Sequence, residues 1–300
     1  MQSSYDNIKQ GEKGALLSIV VYLLLSAFKL IFGYHAHSEA LLADGLNNAT
    51  DIVASIAVFA GLKISRKPPD SDHRYGHYRA ETVASLIASF IMFAVGLQVL
   101  YQAIMKFREP EAASPDWVAA WVALFCAVIM YVVYRYNSGL ARRIRSSALN
   151  AAAQDNRSDA LVSIGAFAGI LGAQFGLVWL DPLAALVVGF IICKTAWSIF
   201  REATHNLTDG FDAGQLEDIR QTVQRTPGVA AIIDLRARIN GNNTLVDATI
   251  GVDERMSVAE SHAITEEIER RILDRYEIEY VHIHIEPYKP ASGERAAGRQ

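Results

Sequence analysis

The sequence holds two cysteines in 300 residues, Cys126 and Cys193, and each stands inside an apolar run with no partner at metal-ligand spacing. A disulfide framework and a thiolate zinc site are thereby excluded, and both read as small core residues. No cleavable leader is expected either. The opening MQSSYDNIKQGEKG is polar and mildly basic, and the apolar block behind it is too long for a signal peptide. The first span is therefore expected to remain in the mature protein. Charge is absent from Thr82 to Met105 and from Trp117 to Tyr134, which a soluble core helix of that length seldom manages. The formal net charge of -4 decides little, because the distribution matters more than the sum.

What the chain has in quantity is apolar sequence, 51% of its residues, gathered into blocks. A hydrocarbon core of about 30 Å needs roughly 20 apolar residues per helix. Six windows meet or approach that: 14–33, 39–62, 82–105, 117–134, 148–180 and 182–200. Between the second and third lie Lys63, Arg66, Lys67, Arg74 and Arg79, and between the fourth and fifth lie Arg135, Arg142, Arg143 and Arg145. The alternate loops GYHAHSE and QFGLVW have no Lys or Arg, and MKFREPEAASPD offsets its two basic residues with Glu109, Glu111 and Asp116. The positive-inside rule then puts both termini and the basic loops in the cytoplasm, with the cell membrane as the location.

After about residue 208 the composition becomes that of a small soluble domain. Asp212 to Arg225 reads as a helix stopped by Pro227-Gly228. AIIDLRARI and TLVDATIGV alternate as strands around NGNN, SVAESHAITEEIERRILDRY is a capped amphipathic helix, and YVHIHIEP is a last strand. The order α-β-β-α-β suits a two-layer α+β unit. The expected division is a six-helix transmembrane domain over 1–208, a cytoplasmic domain over 209–288 and a disordered tail over 289–300.

An Asp at the centre of a spanning helix costs about 2.5–3.5 kcal/mol on insertion scales, so DGLNNATD in the second window requires compensation. Asn47 and Asp51 stand at i and i+4, on one helical face. In the fifth window Asp155 and Asp159 repeat that spacing. Asp51 precedes Lys63 by 12 residues and Asp159 follows Ser146 by 13, so both lie roughly 18–20 Å from the basic end, near the midplane. Three carboxylates and an amide carbonyl make an all-oxygen site whose charge a divalent cation would largely offset. The competing reading is interhelical hydrogen bonding by scattered polar residues. Arg157, between the two acids of its helix, points to another face and does not neutralise them. Asp44, one turn outward of Asn47, either lines an access route or bonds a neighbouring helix, and Lys29 and Lys194 are expected to snorkel to the interfaces.

The basic loop PPDSDHRYGHYRAE gathers Asp70, Asp72, His73 and His77 within eight residues, read equally as a mixed N,O metal site or as a solvated loop. The acidic pairs on the second and fifth of six spans, the DHRYGH block before the third, and the α-β-β-α-β module together resemble the cation diffusion facilitator family of metal-proton antiporters. That resemblance implies a transport site at Asn47, Asp51, Asp155 and Asp159 and a loop site at Asp70, His73 and His77. It further implies a C-terminal ferredoxin-like, metallochaperone-like domain that dimerises and binds metal between subunits, with His262, His284 and Glu286 as ligands. Ile233 and Thr249 stand where the family carries histidines, and His282, on the strand face of His284, is a substitute. Arg79 and Asp209 match a charge pair that links membrane and cytoplasmic parts in the family, with Arg in place of Lys.

Zinc-transporting relatives carry a His where this chain has Asp155, and Asn47 replaces an acid, so the quartet resembles the bacterial manganese-exporting branch. The expectation is Mn²⁺ efflux with protons as counter-ion, with Zn²⁺, Fe²⁺ and Co²⁺ as lesser candidates. No cofactor, no covalent chemistry and no nucleic acid are implied; the partners are the lipid bilayer and a second copy, met through the C-terminal domain and membrane helices. The competing classes are a non-transporting membrane metal sensor and a membrane metalloenzyme. The first lacks an output domain and the second a nucleophile arrangement.

Overall fold

Gln2–His35 (α1), Glu39–Ser65 (α2), Arg79–Arg108 (α3), Trp117–Ile144 (α4), Ser147–Gln174 (α5) and Leu180–Leu207 (α6) are long helices in the computed structural model, which describes residues 2–35, 39–108, 117–177, 179–278 and 280–288. Across 39–47 only the backbone is described, and the tail 289–300 expected to be disordered lies outside the described residues. At about 1.5 Å per residue each helix is roughly 40 Å long or more, enough to cross a bilayer. Among the described residues α1, α3, α4 and α6 are also apolar enough to do so. The other two, α2 and α5, are those that carry the acidic pairs. Large apolar side chains stay uncovered on the outer faces, including Leu24 at 65%, Trp121 at 64% and Phe190 at 66% exposure. A surface of that kind is solvated by lipid rather than by water.

The chain divides into two units between Thr204 and His205. In the first, α1 packs on α2 and α4, α5 on α4 and α3, and α2 on α3. The shared core is rich in alanine, with Ala15, Ala84, Ala88, Ala148 and Ala151 buried beside Leu62, Met92 and Ile192. Small residues let helices approach closely where lipid supplies no hydrophobic drive. At Gly61 of α2 a Cβ would come 2.3 Å from that of Ala84 on α3.

Helix ends depart from the apolar windows in both directions. α1 and α4 run on through polar and basic sequence, because a window marks the stretch in hydrocarbon and not where hydrogen bonding stops. α5 stops at Gln174, short of 180. There Gly176 takes φ 78° and the Leu177 N–H bonds the Gly172 carbonyl at 2.8 Å, a Schellman stop.

The second unit runs Ala213–Gln224 (α7), Ala231–Asn240 (β1), Asn243–Asp253 (β2), Val258–Tyr276 (α8) and Tyr280–Tyr288 (β3), in the order read from sequence. β1 and β2 pair antiparallel through the Asn240–Asn243 turn, and α8 carries the chain across so that β3 pairs parallel with β2. Asp212 caps α7 by accepting the Gln215 N–H, and Ser257 with Glu260 forms a capping box on α8. Ile219 and Val223 of α7 and Ile264, Ile268 and Ile272 of α8 pack with Val246, Ala248 and Ile250 of β2. One sheet face is thereby covered.

Candidate metal centre

α5 presents Asp155 and Asp159 one turn apart, and α2 brings Asp51 against them. One carboxylate oxygen from each lies within 4.8 Å of the others. Asp51 is only 2% exposed, while the two acids of α5 are half-buried. Anions this close, sheltered from water, repel unless a cation or proton stands between them. Asn47 lies on α2 one turn before Asp51, and its side chain is outside the described set. The same holds for Asp44. Arg157 turns away as its spacing implied: it is exposed, bonds Gln154 at 3.4 Å and lies 5.9 Å over the Tyr134 ring.

Sequence reading missed the contribution of α1. The Tyr22 hydroxyl donates to the Asp159 carboxylate and stands 3.3 Å from that of Asp155. A signal existed, because Ser18, Tyr22, Ser26 and Lys29 recur at helical spacing within an apolar run. All four are buried. This corrects the expectation that Lys29 snorkels to an interface: it is 2% exposed, and its Nζ donates to Asn48 Oδ1 of α2 at 3.4 Å. It shares the inward face of Tyr22, and an internal acceptor replaces water there. Lys194, by contrast, is exposed. Glu81 was also overlooked. It is fully buried on the first turn of α3, facing the Ser146 side chain and the amides of Ser147 and Ala148, where the N-terminus of α5 favours an anion.

In the loop between α2 and α3, ligand atoms of Asp70, His73 and His77 also lie within 4.8 Å of one another. His73 Nδ1 is 3.2 Å and His77 Nε2 3.5 Å from the Asp70 carboxylate. The His73 N–H, with that of Asp72, holds the Asp70 carboxyl below the usual carboxylate range. It is thus an anionic donor at neutral pH, flanked by two imidazoles.

In the small domain the expected ligands are spread out. His284 meets Glu286 at 3.1 Å on β3, whereas His262 is 3.5 Å from Glu266 on its own helix and His282 is 4.0 Å from Asp247. Among the described residues of one chain the four do not gather into a single group. Arg79 opens α3, and Asp209 takes φ 60° just past α6. These two residues belong to different units.

A family model described as the cation efflux transmembrane domain matches residues 15–208, and a second, described as the cation efflux protein cytoplasmic domain, matches residues 212–288. The chain is 55% identical over 283 residues to the manganese efflux system protein MneS of Bacillus subtilis (strain 168), covering 94% of this chain and 98% of that one. It is 33% identical over 285 residues to the manganese efflux system protein MneP of the same organism, covering 92% and 96%. Among solved structures, a copper form of the MamM C-terminal domain is 31% identical, covering 26% of this chain and 76% of that one, with a TM-score of 0.25.

Proposed function

We propose, since the chain belongs to the cation efflux family, that it carries Mn²⁺ out of the cytoplasm in exchange for protons. It is a multi-pass membrane transporter and not an enzyme. The observation that carries the reading is the convergence of Asp51, Asp155 and Asp159 in mid-helix, from two helices. These three carboxylates and the Asn47 carbonyl are the ligands. Hard oxygen donors without imidazole or thiolate suit Mn²⁺ better than Zn²⁺, and the names of MneS and MneP support the same ion. Fe²⁺, Co²⁺ and Zn²⁺ are lesser substrates.

Protons and metal compete for the same oxygens, so the site takes up metal when ionised and releases it when protonated. Alternating exposure to the two sides then couples the two fluxes. The Lys- and Arg-rich loops face the cytoplasm, as do both termini. Residues 1–208 form the transport domain and 209–288 a dimerisation and metal-sensing domain ahead of the tail 289–300. Asp70, His73 and His77 form a second, loop site. His262, His282, His284 and Glu286 complete a further site only across a homodimer, and Arg79 and Asp209 tie the membrane and cytoplasmic parts together.

Competition among equimolar Mn²⁺, Fe²⁺, Co²⁺ and Zn²⁺ for uptake by proteoliposomes of the purified chain tests the assignment. Mn²⁺ is expected to dominate. Preferred uptake of Zn²⁺ overturns the choice of ion.

A further inference from the structure

Ser18, Tyr22, Asn137 and Asn156 are fully buried polar residues on three helices, α1, α4 and α5, that meet beside the carboxylates. Their hydrogen bonds run in one sense. Asn137 Nδ2 donates to Ser18 Oγ at 2.9 Å and to Asn156 Oδ1 at 3.2 Å, and Ser18 Oγ donates to the same Asn156 oxygen at 3.0 Å. Asn156 Nδ2 then donates to the Tyr22 hydroxyl at 3.0 Å. An amide nitrogen only donates, so the Tyr22 oxygen must accept at that contact. Its single proton is left for Asp159, with Asp155 3.3 Å away. An ionised carboxylate can only accept, so the hydroxyl proton goes to the acids of α5 whichever way the two amides are turned. Gly14 lets α1 approach: a Cβ there would come 2.9 Å from Asn137 Oδ1 and 2.9 Å from Leu149.

We propose that Tyr22 is a positioning residue for the metal site: held by Asn156, it donates to the paired acids of α5 and fixes which of their oxygens face the ion. This rests on the reading of Asp51, Asp155 and Asp159 as metal ligands. Two carboxylates one turn apart on a helix swing apart by mutual repulsion. A shared donor on a third helix counters that and leaves other lone pairs for a cation. Hydrogen bonds to ligating carboxylates orient them, and their loss typically costs 10–100-fold in metal affinity. Tyr22 therefore acts through the acids and not as a ligand itself.

The test uses full-length protein in nanodiscs, with Mn²⁺ titrations and the electron paramagnetic resonance spectrum of the bound ion. Tyr22→Phe, which keeps the ring, is expected to retain the Mn²⁺ stoichiometry, to raise Kd by roughly 10–100-fold, and to change the zero-field splitting. Asn156→Leu, which frees the hydroxyl, is expected to shift Kd and spectrum in the same direction with Tyr22 intact. Asp159→Asn is expected to lose the mid-helix equivalent of Mn²⁺. If Tyr22→Phe leaves Kd within about twofold and the spectrum unchanged while Asp159→Asn loses the ion, the role of Tyr22 is overturned and the ligand reading stands. If Tyr22→Phe loses the equivalent outright with its thermal midpoint unchanged, Tyr22 is a ligand, which also overturns a positioning role. If Asp159→Asn binds as the parent does, both readings fall together.

Discussion

In the proposed transport site, Asp155 is the residue that sets the chemical preference. Replacing an imidazole-bearing residue with a carboxylate makes every donor in the quartet an oxygen, and oxygen donors suit Mn²⁺ while imidazole suits Zn²⁺. Asp155→His is expected to raise the Zn²⁺-to-Mn²⁺ uptake ratio by about tenfold or more, an increment of about 1.4 kcal/mol in relative stabilisation. Competitive proteoliposome uptake measures it, and an unchanged ratio would show that cavity geometry and not donor hardness selects the ion. The acids were legible in the sequence because equal spacing and equal depth on two helices single them out. Tyr22 and Lys29 share a polar stripe with Ser18 and Ser26, but its spacing does not say which helix that stripe meets. Only the three-dimensional meeting of α1 with α2 and α5 reveals what those side chains face, at Asp159 and at Asn48.

At the scale of elements, α8 shows how local chemistry fixes a boundary. The backbone N–H of Ser257, with its hydroxyl, holds the Glu260 carboxyl below its ordinary value. The Arg271 guanidinium, with that of Arg270, does the same for Glu267. A carboxyl whose folded pKa is depressed contributes stability that is present above its unfolded value, near about 4.3 for Glu, and lost as pH falls through the folded value. Amide exchange along α8 in the full chain, corrected for intrinsic rates, is expected to stay protected from pH 7 down to about 4 and to weaken below that. Weakening already between pH 7 and 5 would show that other groups govern this helix. The boundaries of α7, α8 and the three strands were legible to within a residue or two, since caps, alternation and turn residues all fall inside the segment they control. The ends of α1, α4 and α5 were not. A hydropathy window senses the hydrocarbon, whereas the stop of α5 depends on the left-handed Gly176 and one carbonyl at Gly172.

Over the whole molecule, the amino-acid order states an energetic problem that the membrane unit resolves only with a cation or proton among the acids. Acids are placed in the middle of two spanning helices, and the fold brings them together instead of burying each against apolar neighbours. The pairing of α2 with α5 was legible only because both carry acids at one depth. Nothing in the sequence announces that α1 lies against both, and ligands drawn from two subunits leave no local pattern at all in one chain. The proposed C-terminal site is of that kind, and within one chain His262 sits apart from His284 and Glu286.

Mn²⁺-driven proton flux in proteoliposomes, recorded with an internal pH dye for the parent chain and for Asp51→Ala reconstituted at equal density, tests the link from carboxylate cluster to transport. The parent is expected to couple Mn²⁺ movement to opposite proton movement, and Asp51→Ala to show flux no greater than empty vesicles. Undiminished flux in Asp51→Ala would mean that the ions cross elsewhere in the protein.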